Sequence, residues 1–253
     1  MSNPATLALL LKELRLTCMA RQWESLLEHA TAKHWTLAQY LTALCEHEVA
    51  HRQTERLKRY LKEAQLPVGK TLEHFDFAAC PQVPPQPIAE LAHQAHWVER
   101  ADNLLLFGPS GVGKTHLAAA IGHGLVAQGQ RVRFLSATHL VQQLQVAKQA
   151  LRLIEAIGRL DKFAVLILDD IGYVKKSELE TSVLFELIAH RYESGSLIIT
   201  SNQPFSAWDS IFADTMMTVA AIDRLVHHAQ IIEIQAQSYR KTQSLRRKQH
   251  SAN

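Results

Sequence analysis

Apolar positions along the first part of the chain recur with a helical period. Leu7, Leu10, Leu11 and Leu14 stand at i, i+3, i+4 and i+7, and Trp23, Leu26, Leu27 and Ala30 repeat that spacing. Each set therefore shares one helix face. Thr36-Leu-Ala-Gln39 has the signature of a capping box and opens a third helix. Its expected buried side is Leu37, Tyr40, Leu41 and Leu44, continuing to Leu57, Leu61 and Ala64 until Pro67 stops it. Residues 1–69 read as a small all-α domain whose last helix is long and charged.

The period then changes. Cys80-Pro-Gln-Val-Pro-Pro-Gln-Pro87 is too rich in proline for regular structure and marks an extended connector. Residues 70–100 form a connector and lead-in helix, the helical pattern running over 88 to 101, with Phe75 and Phe77 expected to dock on the second domain. From Leu104 onward short apolar runs alternate with helical segments. Leu104–Phe107, Val132–Leu135, Ala164–Leu168, Leu197–Ser201 and Ile231–Ile234 read as strands. One helix spans Ser136 to about Gly158, with Leu140, Val141 and Leu144 as its apolar side. Another opens at the capping box Ser177-Glu-Leu-Glu180 and is closed by Gly195. Strand–helix alternation of this kind predicts an α/β fold, a five-stranded parallel sheet with helices on both faces. The core spans 101–240 and leaves a basic tail, 241–253. No internal repeat is visible.

Chemistry enters between the first strand and the helix after it. Gly108-Pro-Ser-Gly-Val-Gly-Lys-Thr115 fits G-x-x-x-x-G-K-[ST], a P-loop. Gly108, Gly111 and Gly113, with Pro109, Ser110 and Val112 between them, allow a tight backbone whose N–H groups face phosphate oxygens. Lys114 reaches the β- and γ-phosphates, and the Thr115 hydroxyl is placed to ligate Mg²⁺. The third strand ends in Asp169-Asp170, a Walker-B arrangement. Asp169 is the expected Mg²⁺ partner, and Asp170 is placed to orient or deprotonate an attacking water. Glutamate is usual at the second position; aspartate is one methylene shorter, so slow hydrolysis is expected. Asn202, at the end of the fourth strand, is a candidate for sensing the γ-phosphate, although Asn-Gln-Pro also reads as a plain turn. Arg224, in Ala221-Ile-Asp-Arg-Leu225, is a candidate arginine finger acting in trans; Asp223 and Arg224 in surface ion pairs is the competing reading.

Composition is that of an ordinary globular protein, and the formal charge of +3 permits a nucleic-acid partner without requiring one. The charge is unevenly spread. From Tyr239 the chain carries Arg240, Lys241, Arg246, Arg247 and Lys248 without an acidic residue. That run suits a phosphate backbone, or equally a solvated terminus. Lys148 and Arg152, between the second and third strands, are a second possible DNA contact. Three scattered cysteines give neither a disulfide framework nor a zinc knuckle, and no apolar run is long enough to cross a membrane. A cytoplasmic protein is expected. His47-Glu-Val-Ala-His51 matches the zinc-protease pattern, but its continuation, Arg52-Gln-Thr-Glu-Arg-Leu-Lys58, does not. Solvated ion pairs of Glu48 with Arg52 and Glu55 with Arg59 fit that helix better. The fourteen histidines, His227-His228 included, show no ligand spacing.

Taken in order, the helical domain, Phe-Asp-Phe, the proline connector, GPSGVGKTHLA, LILDDIGY, ITSNQP, AIDRL and SYR resemble the IstB-type transposition-helper ATPases, relatives of the DnaC helicase loaders in the AAA+ class. The resemblance runs from about Leu7 to Arg240. It implies a single AAA+ core without a C-terminal helical lid, and the AAA+ roles for Lys114, Thr115, Asp169, Asp170, Asn202 and Arg224. It further implies an ATP- and Mg²⁺-dependent ATPase that assembles as a homo-oligomeric ring or spiral on duplex DNA and helps a transposase choose its target. A role for the N-terminal helices in pairing subunits or meeting the transposase belongs to the same implication. A DnaC-like helicase loader, and a nucleotide-gated DNA-binding scaffold with little turnover, remain the alternatives.

Overall fold

The computed structural model describes residues 4–172, 177–204, 207–208, 215–236 and 238–239. The chain forms two compact units, Met1–Arg59 and Tyr60–Asn253. The division falls ten residues before the boundary read from the sequence, because Tyr60, Ala64 and Leu66 pack into the core of the second unit.

The first unit holds α1 (Pro4–Glu13), α2 (Thr17–Ala32) and most of α3 (Leu37–Ala64). Thr36 opens α3 with a reciprocal box: its N–H donates to Gln39 Oε1 at 2.8 Å, and the Gln39 N–H donates to the Thr36 hydroxyl at 3.2 Å. The buried side of α3 is rotated from the one expected. Leu37 is 85% exposed and Leu41 59%, whereas Leu44 and Glu48 are buried. The inward face is fixed by polar bonds as well as by packing. Tyr40 donates its hydroxyl to Trp23 O at 2.9 Å, and Glu48, one turn past Leu44, caps the start of α2. Leu37, Leu41, Cys45 and Val49 form an outward stripe instead, and Leu7, Leu10 and Leu14 of α1 are exposed too.

The expected Glu48–Arg52 pair forms, but its carboxylate is buried rather than solvated. One carboxylate oxygen accepts from the Cys18 and Met19 N–H groups at 2.8 and 3.0 Å, and the other accepts from Arg52 at 2.9 Å. The flanking histidines are engaged elsewhere, His47 with Gln22 at 2.7 Å and His51 with Arg21 at 3.3 Å. Glu55 pairs with Lys58 at 2.8 Å.

In the second unit, β1 (Asn103–Phe107), β2 (Val132–Ser136), β3 (Val165–Asp169), β4 (Ser196–Ser201) and β5 (Ala229–Glu233) form one parallel sheet in the order β2-β3-β4-β1-β5. Alternate residues of the central strands feed two cores. Leu104, Leu106, Val165, Ile167 and Ile198 pack with α6 (Lys114–Ala127) and α4 (Pro85–His93). Leu105, Phe107, Leu166, Leu168 and Ile199 pack with α7 (Ala137–Gln149), α8 (Leu153–Gly158), α9 (Glu178–Arg191) and α10 (Thr215–His227). Strands buried on both faces explain why they read as continuous apolar runs. Asn103 fastens the lower edge of the sheet. Its side chain donates to Leu225 O at 3.1 Å and accepts from Leu197 N–H at 2.9 Å, while its own N–H donates to His228 O at 2.6 Å.

Three expected element limits move. The connector is not extended to Pro87: α4 begins at Pro85, since prolines in a first helical turn forfeit no intrahelical bond. The short α5 (His96–Glu99) follows it, and Phe75 and Phe77 pack against the α4–α6 core. The helix after β2 breaks at Leu151, whose φ is +57°, so that Leu153 and Ile157 of α8 fold onto the core that Leu140 and Leu144 already fill. Gly195 does not close α9; Glu193 takes the left-handed conformation (φ +54°). The bare Gly195 makes room for the Arg191 guanidinium, which donates to Phe163 O, Ala164 O and Ser196 O. Arg240 and Lys241 lie outside the described residues.

Burial raises the Glu48 carboxyl pKa, but hydrogen bonds from Met19, Arg52 and Cys18 outweigh it and hold the group below its ordinary value. Glu48→Gln is expected to destabilise the chain by about 1–3 kcal/mol at neutral pH in urea denaturation. A depressed folded pKa means that this stabilisation is complete above an unfolded glutamate's value of about 4.3 and is lost as pH falls through the folded pKa. The gap between wild type and variant should therefore close in acid.

Candidate functional site

The P-loop leaves β1 at Phe107 and enters α6 at Lys114. Two glycines are required by what approaches them. A Cβ on Gly108 (φ +145°) would stand 2.2 Å from the carbonyl oxygen of Ile234, just past β5. One on Gly113 (φ +105°) would stand 2.8 Å from the Phe75 ring. The loop is thereby pressed between the end of β5 and the connector, with the N-terminus of α6 and its partial positive charge at its floor. Lys114 is 7% exposed, and its ammonium donates to the carbonyls of Gly108 and Pro109 at 2.7 and 2.8 Å. Those bonds hold the ammonium inside the loop, where an incoming phosphate can take it over.

The ends of β3 and β4 meet beside this loop. Thr200 donates its hydroxyl to Asp169 Oδ1 at 2.8 Å and accepts from the Asp170 N–H at 2.8 Å. Ile171 N–H donates to Thr200 O at 3.0 Å. Between those bonds Asp170 adopts φ +63°, a region that aspartate tolerates better than most residues. That gives a local reason for the shorter acid at this position. Asn202 Oδ1 is buried with no hydrogen-bond partner among the described residues, beside Gly172. An orphaned amide oxygen at the wall of a cleft is suited to accept from a water.

Lys114, Thr115, Asp170, Thr200 and Asn202 line a single cleft. Its rim includes residues not singled out as site residues from sequence: Lys70, Phe75, His116, Cys80 and Tyr239. Phe75 lies edge-on to His116 at 5.3 Å between centroids, and His116 Nε2–H donates to Thr71 O at 2.9 Å. Burial first, and then the neighbouring Lys70 and His74, lower the His116 pKa against the raising effect of that bond. Cys80 donates its thiol to Val112 O at 3.6 Å, and burial pushes its pKa up, so it is a packing residue rather than a nucleophile. After β5 the chain returns over the loop: Gln82 holds Gln235 O at 2.7 Å, and Tyr239 N–H donates to Gly111 O at 3.0 Å. The only hint of this return in the sequence is Ser238-Tyr239 itself, which no spacing rule picks out. Thr115 and Asp170, which line the cleft, and Asp169, which stands just behind it on Thr200, offer oxygen donors alone, which is the set that Mg²⁺ takes.

The remaining candidates stand apart from the cleft. Arg224 lies on α10, donates to Ala220 O at 2.9 Å and rests over the Phe185 ring at 5.4 Å. It forms no ion pair among the described residues and does not line the cleft of its own chain. Lys148 donates to Ser182 and to Glu186 of α9 at 2.7 and 2.9 Å. Arg152 is paired with Glu155, and hydrogen bonds from Arg152 and then Arg159 hold that carboxyl down at about 2. Both cations already have carboxylate partners.

Comparison with known proteins adds an independent line. Residues 9–247 match the family model of the IstB-like ATP binding protein. The chain is 50% identical over 248 residues to an insertion-sequence ATP-binding protein of Sinorhizobium fredii (strain NBRC 101917 / NGR234), covering 98% of this chain and 83% of that one. It is 41% identical over 234 residues to the ATP-binding protein of insertion sequence IS21 from Pseudomonas aeruginosa, covering 92% and 88%. Among solved structures, the DnaC helicase loader superposes with a TM-score of 0.54 at 21% identity, over 70% of this chain and 99% of that one. AMPPCP-bound DnaA from Aquifex aeolicus superposes with a TM-score of 0.55 at 20% identity, over 67% and 51%. These two likenesses concern the fold.

Removing the buried ammonium should weaken nucleotide binding more than any other single change in the loop. Lys114→Ala is expected to raise the dissociation constant for a fluorescent ATP analogue about 30-fold or more, the effect of deleting one member of a buried charge pair. Unchanged affinity would contradict the placement of the phosphates.

Proposed function

Because the chain belongs to the family of IstB-like ATP-binding proteins, we propose that it is an ATP-dependent DNA-binding AAA+ ATPase. In this reading it assembles on duplex DNA and assists a transposase in target selection. The observation that carries the reading is the cleft in which Lys114, Asp170, Thr200 and Asn202 converge while Arg224 stays outside. A site complete except for an arginine is what an enzyme finished by its neighbour presents.

The chemistry rests on these placements. Lys114 moves from its loop carbonyls to the β- and γ-phosphate oxygens and offsets their charge. Thr115 and Asp169 would hold Mg²⁺, which would supply charge neutralisation at the phosphates. Asp170, fixed through Thr200, orients a water in line with the γ-phosphorus and draws on its proton. The Asn202 amide bridges that water and the γ-phosphate. Arg224 of an adjacent copy stabilises the charge that develops as the bond to ADP breaks. Phosphate leaves, the link through the triphosphate is lost, and the contact between copies loosens.

DNA contact falls chiefly to the basic tail, Arg240 and Lys241 first, supported by the charge run seen in the sequence. Lys148 and Arg152 join only by exchanging the carboxylates that now hold them. The outward stripe of Leu37, Leu41, Cys45 and Val49 supports a role for the first unit in meeting another copy or the transposase. Three free cysteines, and no helix among the described residues long and apolar enough to cross a membrane, support a cytoplasmic setting.

Phosphate release with duplex, single-stranded or no DNA tests the reading. Duplex should stimulate turnover most; preferential stimulation by single strands would favour a helicase-loader activity, and no turnover with any DNA a passive scaffold. Arg224→Ala should retain ATP binding and lose DNA-stimulated hydrolysis by about 10³-fold or more. Full activity in that variant would overturn the trans assignment.

A further inference from the structure

The end of the sheet opposite the P-loop carries a second constellation that the ATPase does not use. Glu193, in the turn between α9 and β4, stands beside His227, the last residue of α10, and His228, in the turn from α10 to β5. One donor atom from each lies within 4.8 Å of the other two, and His228 Nε2 is 4.0 Å from Glu193 Oε1. We propose that these three side chains form a binding site for a borderline divalent transition metal, with Zn²⁺ as the preferred occupant.

The donor set decides the class of ion. Two imidazoles and one carboxylate suit Zn²⁺, and also Ni²⁺ or Cu²⁺, rather than Mg²⁺ or Ca²⁺, which take oxygen. Three protein ligands leave a fourth position for water, and all three residues are exposed, so an ion can enter from solvent.

Three features show that the donors are held rather than merely near one another. His227 Nδ1 lies 2.8 Å from the Tyr192 hydroxyl. The Tyr192 O–H has the Glu193 carboxylate to donate to, so its oxygen can accept from His227 Nδ1–H; in that tautomer His227 Nε2 keeps its lone pair for a metal, the usual arrangement around a ligating histidine. Glu193 sits at φ +54°, which turns its side chain out of the line of α9. Asn103 ties α10 and the turn after it to the start of β4. It bonds the backbone of Leu225 and His228 on one side and of Leu197 on the other. A bound ion would therefore clamp the C-terminal end of α10, three residues beyond Arg224, to the turn after α9.

The test is direct metal binding to the full chain without nucleotide. Isothermal titration with Zn²⁺ should show one equivalent bound by the wild type, and Co²⁺ should give the visible absorption of a tetrahedral N/O site. His227→Ala/His228→Ala should lose that equivalent, Glu193→Gln should weaken it about tenfold or more, and Tyr192→Phe should weaken it by a similar factor through its hold on His227. Zn²⁺ should raise the thermal midpoint of the wild type and leave the double variant's unchanged. If the wild type takes up no more Zn²⁺ than the double variant, or if Glu193→Gln and Tyr192→Phe, which keep side-chain shape, bind as tightly as wild type, the site is wrong.

Discussion

One hydroxyl holds the candidate site in register. Thr200 sits near the end of β4, and β4 lies between β1, which launches the P-loop, and β3, which ends in the two aspartates. By bonding the Asp169 carboxylate and the Asp170 N–H at once, Thr200 locks the acidic pair to the neighbouring strand. The register does the rest: Leu106 faces Thr200 and Phe107 faces Ser201, so Asn202 emerges level with the first glycine of the loop. Any other strand order would part the acids from the P-loop. The sheet's buried apolar strands support that one polar juncture.

What could be read from the residues was what depends on local spacing. The P-loop, the acids after an apolar run, five strands and two capping boxes are each written within a few consecutive positions, and the structure contains all of them. Features that depend on long-range packing were not legible. Leu37 and Leu41 share the helical period of Leu44 but face outward, because Tyr40 and Glu48 set the rotation of α3 through bonds to α2. Glu48 looks like one half of a surface ion pair until Cys18 and Met19, some thirty positions earlier, are found beneath it. The cluster of Glu193 with His227 and His228 is hidden in the same way, since its acid lies far from its histidines in the chain.

The candidate site divides along the same line. Lys114, Thr115, Asp170 and Asn202 come together as their spacing after strands implied. Phe75, His116 and Tyr239 form the rim only because the connector and the segment after β5 both fold back over the loop. Lys148 and Arg152 carry the right charge in the right region, yet Glu186 and Glu155 already neutralise them. Charge composition reveals how many cations there are; it does not reveal which ones have partners.

Arg224 stands apart from the cleft of its own chain, and in the proposed function this makes the triphosphate a link between copies, so that nucleotide controls assembly on DNA. Sedimentation velocity of the full chain with a short duplex, with and without a non-hydrolysable ATP analogue, reads that link. A large multi-chain complex is expected with the analogue, and its loss without it. A single chain on the duplex under both conditions would contradict the proposal.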